Sequence, residues 1–268
     1  MHPLWIVLLP NRKRICRLGD FVQRSGVACY NAFSKFNYEG EIQMNYETAQ
    51  KRSGKEIFVL LIPFIIYILN LFVFPIIFML IGLPQTALFI VKSAIDIAIL
   101  VGTLLLYNKK GIKLFKKVQF KWWFLLLPIA VYVLNMAKNP LLLLIFGEQP
   151  VANADAILSM MEANLIYTLV ASVIIAPVLE EVMFRGVLMN TIFEKQQWIG
   201  YFVSSFLFSL IHTPTNLYSF FNYFIIGLLF GGVMKLTKSL GWSMATHIVN
   251  NLLAQILVLI SIYVLNAL

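Results

Sequence analysis

Apolar residues come along this chain in long runs, and the charged residues gather between them. Seven runs stand out, at about 57–83, 86–107, 122–146, 164–193, 198–212, 218–236 and 241–265. A membrane-crossing helix needs roughly 20 predominantly apolar residues. In lipid a helix also satisfies its own backbone polar groups within one segment. The pattern therefore predicts an all-α fold, a polytopic transmembrane helix bundle of about seven spans. Pro63 and Pro75 fall inside the first run, where membrane helices tolerate proline as a kink. A break is expected in the third run around Lys138 and Pro140; a split there would make eight spans.

Charge between the runs sets the expected orientation. Lys51, Arg52 and Lys55 precede the first run. Lys109, Lys110, Lys113, Lys116, Lys117 and Lys121 separate the second from the third. Lys195 follows the fourth, and Lys235 and Lys238 close the sixth. The stretch 147–162 carries Glu148, Asp155 and Glu162 with no Lys or Arg. Lys and Arg accumulate in cytoplasmic loops. Every cluster then agrees with a multi-pass membrane protein, its N-terminus cytoplasmic and its C-terminus outside.

Composition changes this picture little. The chain is 60% hydrophobic and 12% charged, against roughly 45–50% and 25% for soluble proteins. The formal charge of +9 reflects the basic loops, and no basic stripe carries a nucleic-acid recognition fold. The expected partner on this ground is the lipid bilayer, with no nucleic acid; the oligomeric state is left open. Residues 1–56 read as a cytoplasmic arm, or as a leader from an upstream start, since Met44 opens a more natural beginning. Cys16 and Cys29 lie there without CxxC spacing. Residues 57–146 read as N-terminal membrane helices and 163–268 as a C-terminal catalytic bundle.

Within the apolar runs a few polar residues stand out. Lys92 and Asp96 are four apart on one helix face and read as a structural ion pair. Glu180, Glu181 and Arg185 sit inside the apolar stretch VIIAPVLEEVMFRGVLM. Each costs about 2.5–3.5 kcal/mol near a helix centre on insertion scales. Glu181 and Arg185 are four apart and suit an ion pair, whereas Glu180 points about 100° away around the helix. His212 shares a face with Phe208, and His247 with Asn251. Helix rise puts Glu180 about 20 Å and His212 about 21 Å from the ends of their runs. His247 comes out about 9 Å in and Asn251 about 15 Å. One shared polar cavity fits those depths.

A carboxylate with an imidazole can take a proton from water and pass it to a leaving amine. A second imidazole with an amide can meet a developing oxyanion. Together these are the groups that peptide hydrolysis needs. GxSxG and HExxH are both absent. Glu180, His212 and His247 nonetheless make a possible ligand set for Zn²⁺.

Glu180-Glu181-x-x-x-Arg185, Phe208-x-x-x-His212 and His247-x-x-x-Asn251, in this order and in consecutive apolar runs, resemble the three motifs of the CPBP family. This is the CAAX-protease and bacteriocin-processing (Abi) family of glutamate-dependent intramembrane endopeptidases. The resemblance covers about 160–255. It implies Glu180 as the base activating water with His212 assisting. His247 and Asn251 would stabilise the oxyanion, and Glu181, Arg185 and Phe208 would support the site. It also implies removal of the last residues of membrane-attached proteins, or a part in bacteriocin self-immunity, with zinc in dispute. Two other readings stand beside it. One is a non-catalytic immunity or partner-binding protein on the same fold. The other is an ion-coupled transporter using Lys92, Asp96, Glu180 and Glu181, against which the lack of an evident internal repeat counts.

Overall fold

The computed structural model describes residues 53–267 apart from positions 83, 148, 150 and 151. The expectations for His2, Cys16, Cys29, Met44, Lys51 and Arg52, and for Glu148, lie outside the described residues. Among the described residues there is no strand. The helices are α1 (Gly54–Ile81), α2 (Gln85–Lys109), α3 (Leu127–Phe146), α4 (Ala152–Ala163), α5 (Leu165–Ile192), α6 (Gln197–Ile211), α7 (Leu217–Thr237) and α8 (Leu240–Ala267). A 3₁₀ stretch, Trp122–Leu126, leads into α3. The all-α polytopic bundle is borne out, and this is a multi-pass membrane protein.

Six of these helices are long and apolar enough to cross a membrane. The exception among the seven expected spans is α6, whose 15 residues reach about 22 Å. Lys235 Nζ lies 3.8 Å from the centroid of the Trp198 ring, so the start of α6 and the end of α7 share one end of the bundle. Helix α7 is 21 residues long, so α6 turns back short of its full height. His212 caps that turn. The turn holds Thr213 at φ 48° and ends on Asn216, whose Oδ1 accepts from Ser219 N at 2.7 Å. The run at 198–212 is therefore corrected from a full span to a short helix.

The proline expectations meet different outcomes: Pro63 and Pro75 are tolerated within the first helix as expected, whereas Pro140 does not break its helix. Helix α1 continues through Pro63 and Pro75, and α3 continues through Pro140. The expected break at Lys138–Pro140 does not occur, which excludes the eighth span. The ammonium of Lys138 turns back to donate to the carbonyl of Asn135 at 3.1 Å and to Asn139 Oδ1 at 3.0 Å.

Helix α5 runs unbroken across 28 residues, but it is wound unevenly. Ala171–Ile175 and Val182–Ile192 form wide π turns, on either side of an α-helical segment, Ala176–Glu181, that carries both glutamates. Thr191 Oγ1 donating to Gly186 O at 2.9 Å follows the same five-residue step. Such π segments recur at functional sites.

Polarity is arranged for lipid. Leu80, Leu144 and Ile166 stand exposed, while Glu181, Arg185, Ser205 and Ser243 are fully buried. Aromatic rings fill the centre: Phe184 meets Phe64 and Phe208 edge-on, both at 5.5 Å between centroids. Helices α6 and α7 approach closely at Gly227, where an added Cβ would fall 3.1 Å from Ser205 Cα. Small residues at such a crossing let two membrane helices pack backbone to backbone.

Candidate active site

Helix α5 supplies the acids and α8 meets them. Arg185 Nη1 pairs with Glu181 Oε1 at 3.0 Å, both side chains fully buried. The expected intrahelical ion pair is present. Its other groups are held from α7 and α6: Arg185 Nη2 donates to Gly227 O at 2.7 Å. The guanidinium also lies 4.8 Å from the centroid of the Phe208 ring, within cation–π range. Ser243 Oγ lies 2.6 Å from Glu181 Oε2 and 2.9 Å from Phe230 O, with one hydroxyl proton to share between them.

His247 completes this cluster. Its Nδ1 lies 3.1 Å from Glu181 Oε1. Glu181 is paired with Arg185 and accepts, so Nδ1 carries the proton. The other nitrogen, Nε2, faces Glu180 Oε2 at 3.8 Å. That is too long for a direct hydrogen bond and is the spacing at which a shared water is to be considered. The imidazole stacks on Phe230 at 4.1 Å. Glu180 keeps 13% side-chain exposure where Glu181 has none. The two adjacent glutamates thus differ in surroundings as the 100° offset anticipates.

His212 is fixed separately. Its Nδ1 donates to Phe208 O at 2.7 Å, since a carbonyl can only accept. Its Nε2 is left with a lone pair. The ring stacks on Tyr223 at 4.1 Å. The Phe208 ring touches both imidazoles, with centroids 4.7 Å from His212 and 5.8 Å from His247. Phe208 is a packed spacer between them.

Asn251 is anchored to α5: its Nδ2 donates to Ser172 O at 2.9 Å, inside the first π stretch. One N–H of that amide remains. Its Oδ1 accepts from Asn250 Nδ2 at 3.2 Å, and Asn250 Oδ1 accepts from Asn135 Nδ2 at 2.9 Å. Ser243, Gly227, Asn135, Asn250 and Tyr223 were not singled out in the sequence. Ser243 had a signal, standing one turn before His247 on the same face; the backbone carbonyl of Gly227 had none.

Among the described residues no three His, Cys, Asp or Glu side chains are grouped to hold a metal ion. Glu180, His212 and His247 are therefore not grouped as a Zn²⁺ ligand set among the described residues; His212 Nδ1 and His247 Nδ1 are each held by a protein acceptor, and the Nε2 of each ring is not. Lys92 and Asp96 form their ion pair, Nζ to Oδ2 at 2.7 Å, with Asn70 Nδ2 also donating to Asp96 at 2.7 Å.

Residues 162–253 match a family described as Rce1-like, type II CAAX prenyl endopeptidase. The family resemblance carried by the three motifs is borne out, and the matched stretch contains all of them. UPF0177 protein YvdC of Lactococcus lactis subsp. lactis (strain IL1403) is 24% identical over 117 residues, 43% of this chain and 45% of that protein. The chain thus spans less than half the length of the curated relative it matches. No solved structure matches at a significant level. Similarity to a protease family supports a protease-like function within the membrane.

Proposed function

We propose that this protein is a glutamate-dependent intramembrane endopeptidase that hydrolyses peptide bonds of membrane-attached substrates. The observation carrying this reading is the facing pair Glu180 Oε2 and His247 Nε2, 3.8 Å apart, with His247 held from behind by Glu181. Glu180 is the one acid of the pair not consumed by Arg185. A water beside it attacks the carbonyl carbon and gives its proton to the Glu180 carboxylate. Collapse of the tetrahedral intermediate breaks the C–N bond, and the same proton goes to the departing amine.

The negative oxygen formed on the way is met by His247 Nε2 and by the remaining N–H of Asn251. His247 donates there only as imidazolium. Glu181 at Nδ1 stabilises that cation, and Arg185 and Ser243 hold Glu181 in place. His212, with Nδ1 fixed on Phe208 O, offers Nε2 as a second acceptor for the water. No step requires a metal. In this reading the protein lies in the cell membrane with its N-terminus in the cytoplasm, as the lysine-rich 109–121 segment and the Lys195, Lys235 and Lys238 positions favour.

The test is a strain carrying Glu180→Ala, compared with wild type by quantitative proteomics of its membranes. A membrane-attached precursor should accumulate, and purified wild-type protein should cut it. If purified Glu180→Ala protein cuts it as fast as wild type, the reading is wrong.

A further inference from the structure

Three asparagine amides run in line from α3 through α8 to α5, and of these Asn251 alone belongs to a motif. Ser172 O can only accept, so Asn251 presents Nδ2 to it at 2.9 Å. Asn251 Oδ1 is then an acceptor, and Asn250 presents Nδ2 to it at 3.2 Å. Asn250 Oδ1 in turn takes Nδ2 of Asn135 at 2.9 Å. The backbone carbonyl at one end thus fixes the orientation of every amide in the chain.

This chain is a poor way to stabilise a bundle. Asn135 and Asn250 are 5% and 4% exposed. Asn135 gives its Nδ2 to the chain, while its own Oδ1 is buried and has no partner among the described residues. A buried acceptor left unmet carries a free-energy cost that a leucine in its place would not. Asn135 also stands outside the 162–253 stretch that matches the protease family. What the chain does supply is direction. An amide group is planar. Held at Nδ2 by Ser172 O and at Oδ1 by Asn250, the Asn251 plane cannot turn about its Cβ–Cγ bond, and its second N–H has one aim. Released at Oδ1, the plane would swing on the single bond to Ser172. A donor assists a developing oxyanion fully only when it is oriented before the charge appears. Ser172 belongs to the first π stretch of α5, so the same chain ties Asn251 to the helix that carries Glu180.

We propose that Asn250 and Asn135 are positioning residues for Asn251. Asn250 holds the Asn251 amide plane, and Asn135 holds Asn250 in the one orientation that can donate. Without Asn135 the Asn250 amide is free to flip, which turns its Oδ1 toward Asn251 Oδ1 and sets two acceptors face to face. Neither positioning residue touches substrate; both act through the second N–H of Asn251. The inference rests on the endopeptidase reading for what that N–H meets.

The test uses the full chain in phosphatidylcholine proteoliposomes. The probe is an internally quenched peptide tethered by an N-terminal palmitoyl chain, chosen from a random-sequence library by wild-type cleavage. Asn251→Ala should lower kcat about 10²–10³-fold. Asn135→Leu and Asn250→Ala loosen the donor without removing it, and each should lower kcat about tenfold with KM unchanged. On the Asn251→Ala background neither should lower kcat further. Asn135→Leu exchanges one unmet acceptor, Asn135 Oδ1, for another, Asn250 Oδ1, so its melting temperature should stay near that of wild type. A second readout needs no turnover: hydrogen exchange of the Asn251 side-chain amide, followed by NMR in asparagine-labelled protein in nanodiscs and assigned by its absence in Asn251→Ala. It should quicken about tenfold in both variants. An unchanged kcat, the same loss with and without Asn251, a change in KM alone, or unchanged exchange in the folded variants overturns the inference. Failure of the endopeptidase reading looks different: wild-type protein then cuts no member of the library, while Asn251 exchange still quickens in Asn135→Leu and Asn250→Ala.

Discussion

His247 and Glu181 meet through Nδ1 and Oε1 at 3.1 Å, and this bond decides which nitrogen of the ring is turned to Glu180. Without it the ring could rotate or change tautomer, and Nε2 would have no fixed aim. Replacing His247 with Ala should lower kcat about 10²–10³-fold, as the loss of one oxyanion donor does elsewhere, with KM nearly unchanged. Steady-state cleavage of a membrane-tethered peptide measures both. A rise in KM at constant kcat would make His247 a binding residue instead.

Glu181 and Arg185 neutralise each other with no exposure at all. Removing one leaves the other buried and uncompensated, at a cost of about 3–5 kcal/mol. Glu181→Leu and Arg185→Leu should each lower thermal stability in detergent by that order. The double replacement should be milder than either single one, because no lone charge remains. An additive double mutant would show that the pair is not coupled.

Gly227 serves two purposes at one place. Its missing side chain lets α7 lie against Ser205, and its carbonyl receives Arg185 Nη2. Gly227→Ala forces a Cβ to within 3.1–3.2 Å of Ser205. Overpacking of this kind costs about 1–3 kcal/mol. The shift also loosens Arg185, so cleavage should fall along with the melting temperature. A Gly102→Ala control, with nothing within 4 Å of the added Cβ, should change neither.

The Lys92, Asp96 and Asn70 cluster joins α2 to α1. In the endopeptidase reading it is structural. Lys92→Met with Asp96→Asn should therefore keep cleavage within a few-fold of wild type and show its effect in thermal stability. Loss of proton- or sodium-driven uptake in liposomes, with cleavage absent throughout, would instead favour a transporter.

Sequence periodicity and charge go far in this protein because lipid is an unforgiving solvent. Each interior polar residue has a reason to be there, and few are affordable. Glu180, Glu181, Arg185, His212, His247 and Asn251 were all visible on that ground. Two misreadings arose. Helix α6 has the apolar character of a span but ends after 15 residues, where His212 and the Asn216 cap turn the chain into α7. Pro140 looked like a break, yet α3 continues through it, as membrane helices tolerate proline. The Gly227 carbonyl and the orientation of the asparagine amides were illegible for another reason. Any residue supplies a carbonyl, and an amide's direction is set only by its neighbours in space.

The ion pair on α5 also bears on how the molecule is made. Glu181 and Arg185 belong to one helix, one turn apart, so each is available to the other as soon as that turn is wound. The helix can leave the insertion machinery with this part of its charge already cancelled. Glu180 has no such companion on its own helix; His247 is 67 positions further along the chain and arrives with α8. For that interval the acid is alone. In the endopeptidase reading, assembly of the site is then ordered by translation, with the supporting pair set first and the reactive acid enclosed last.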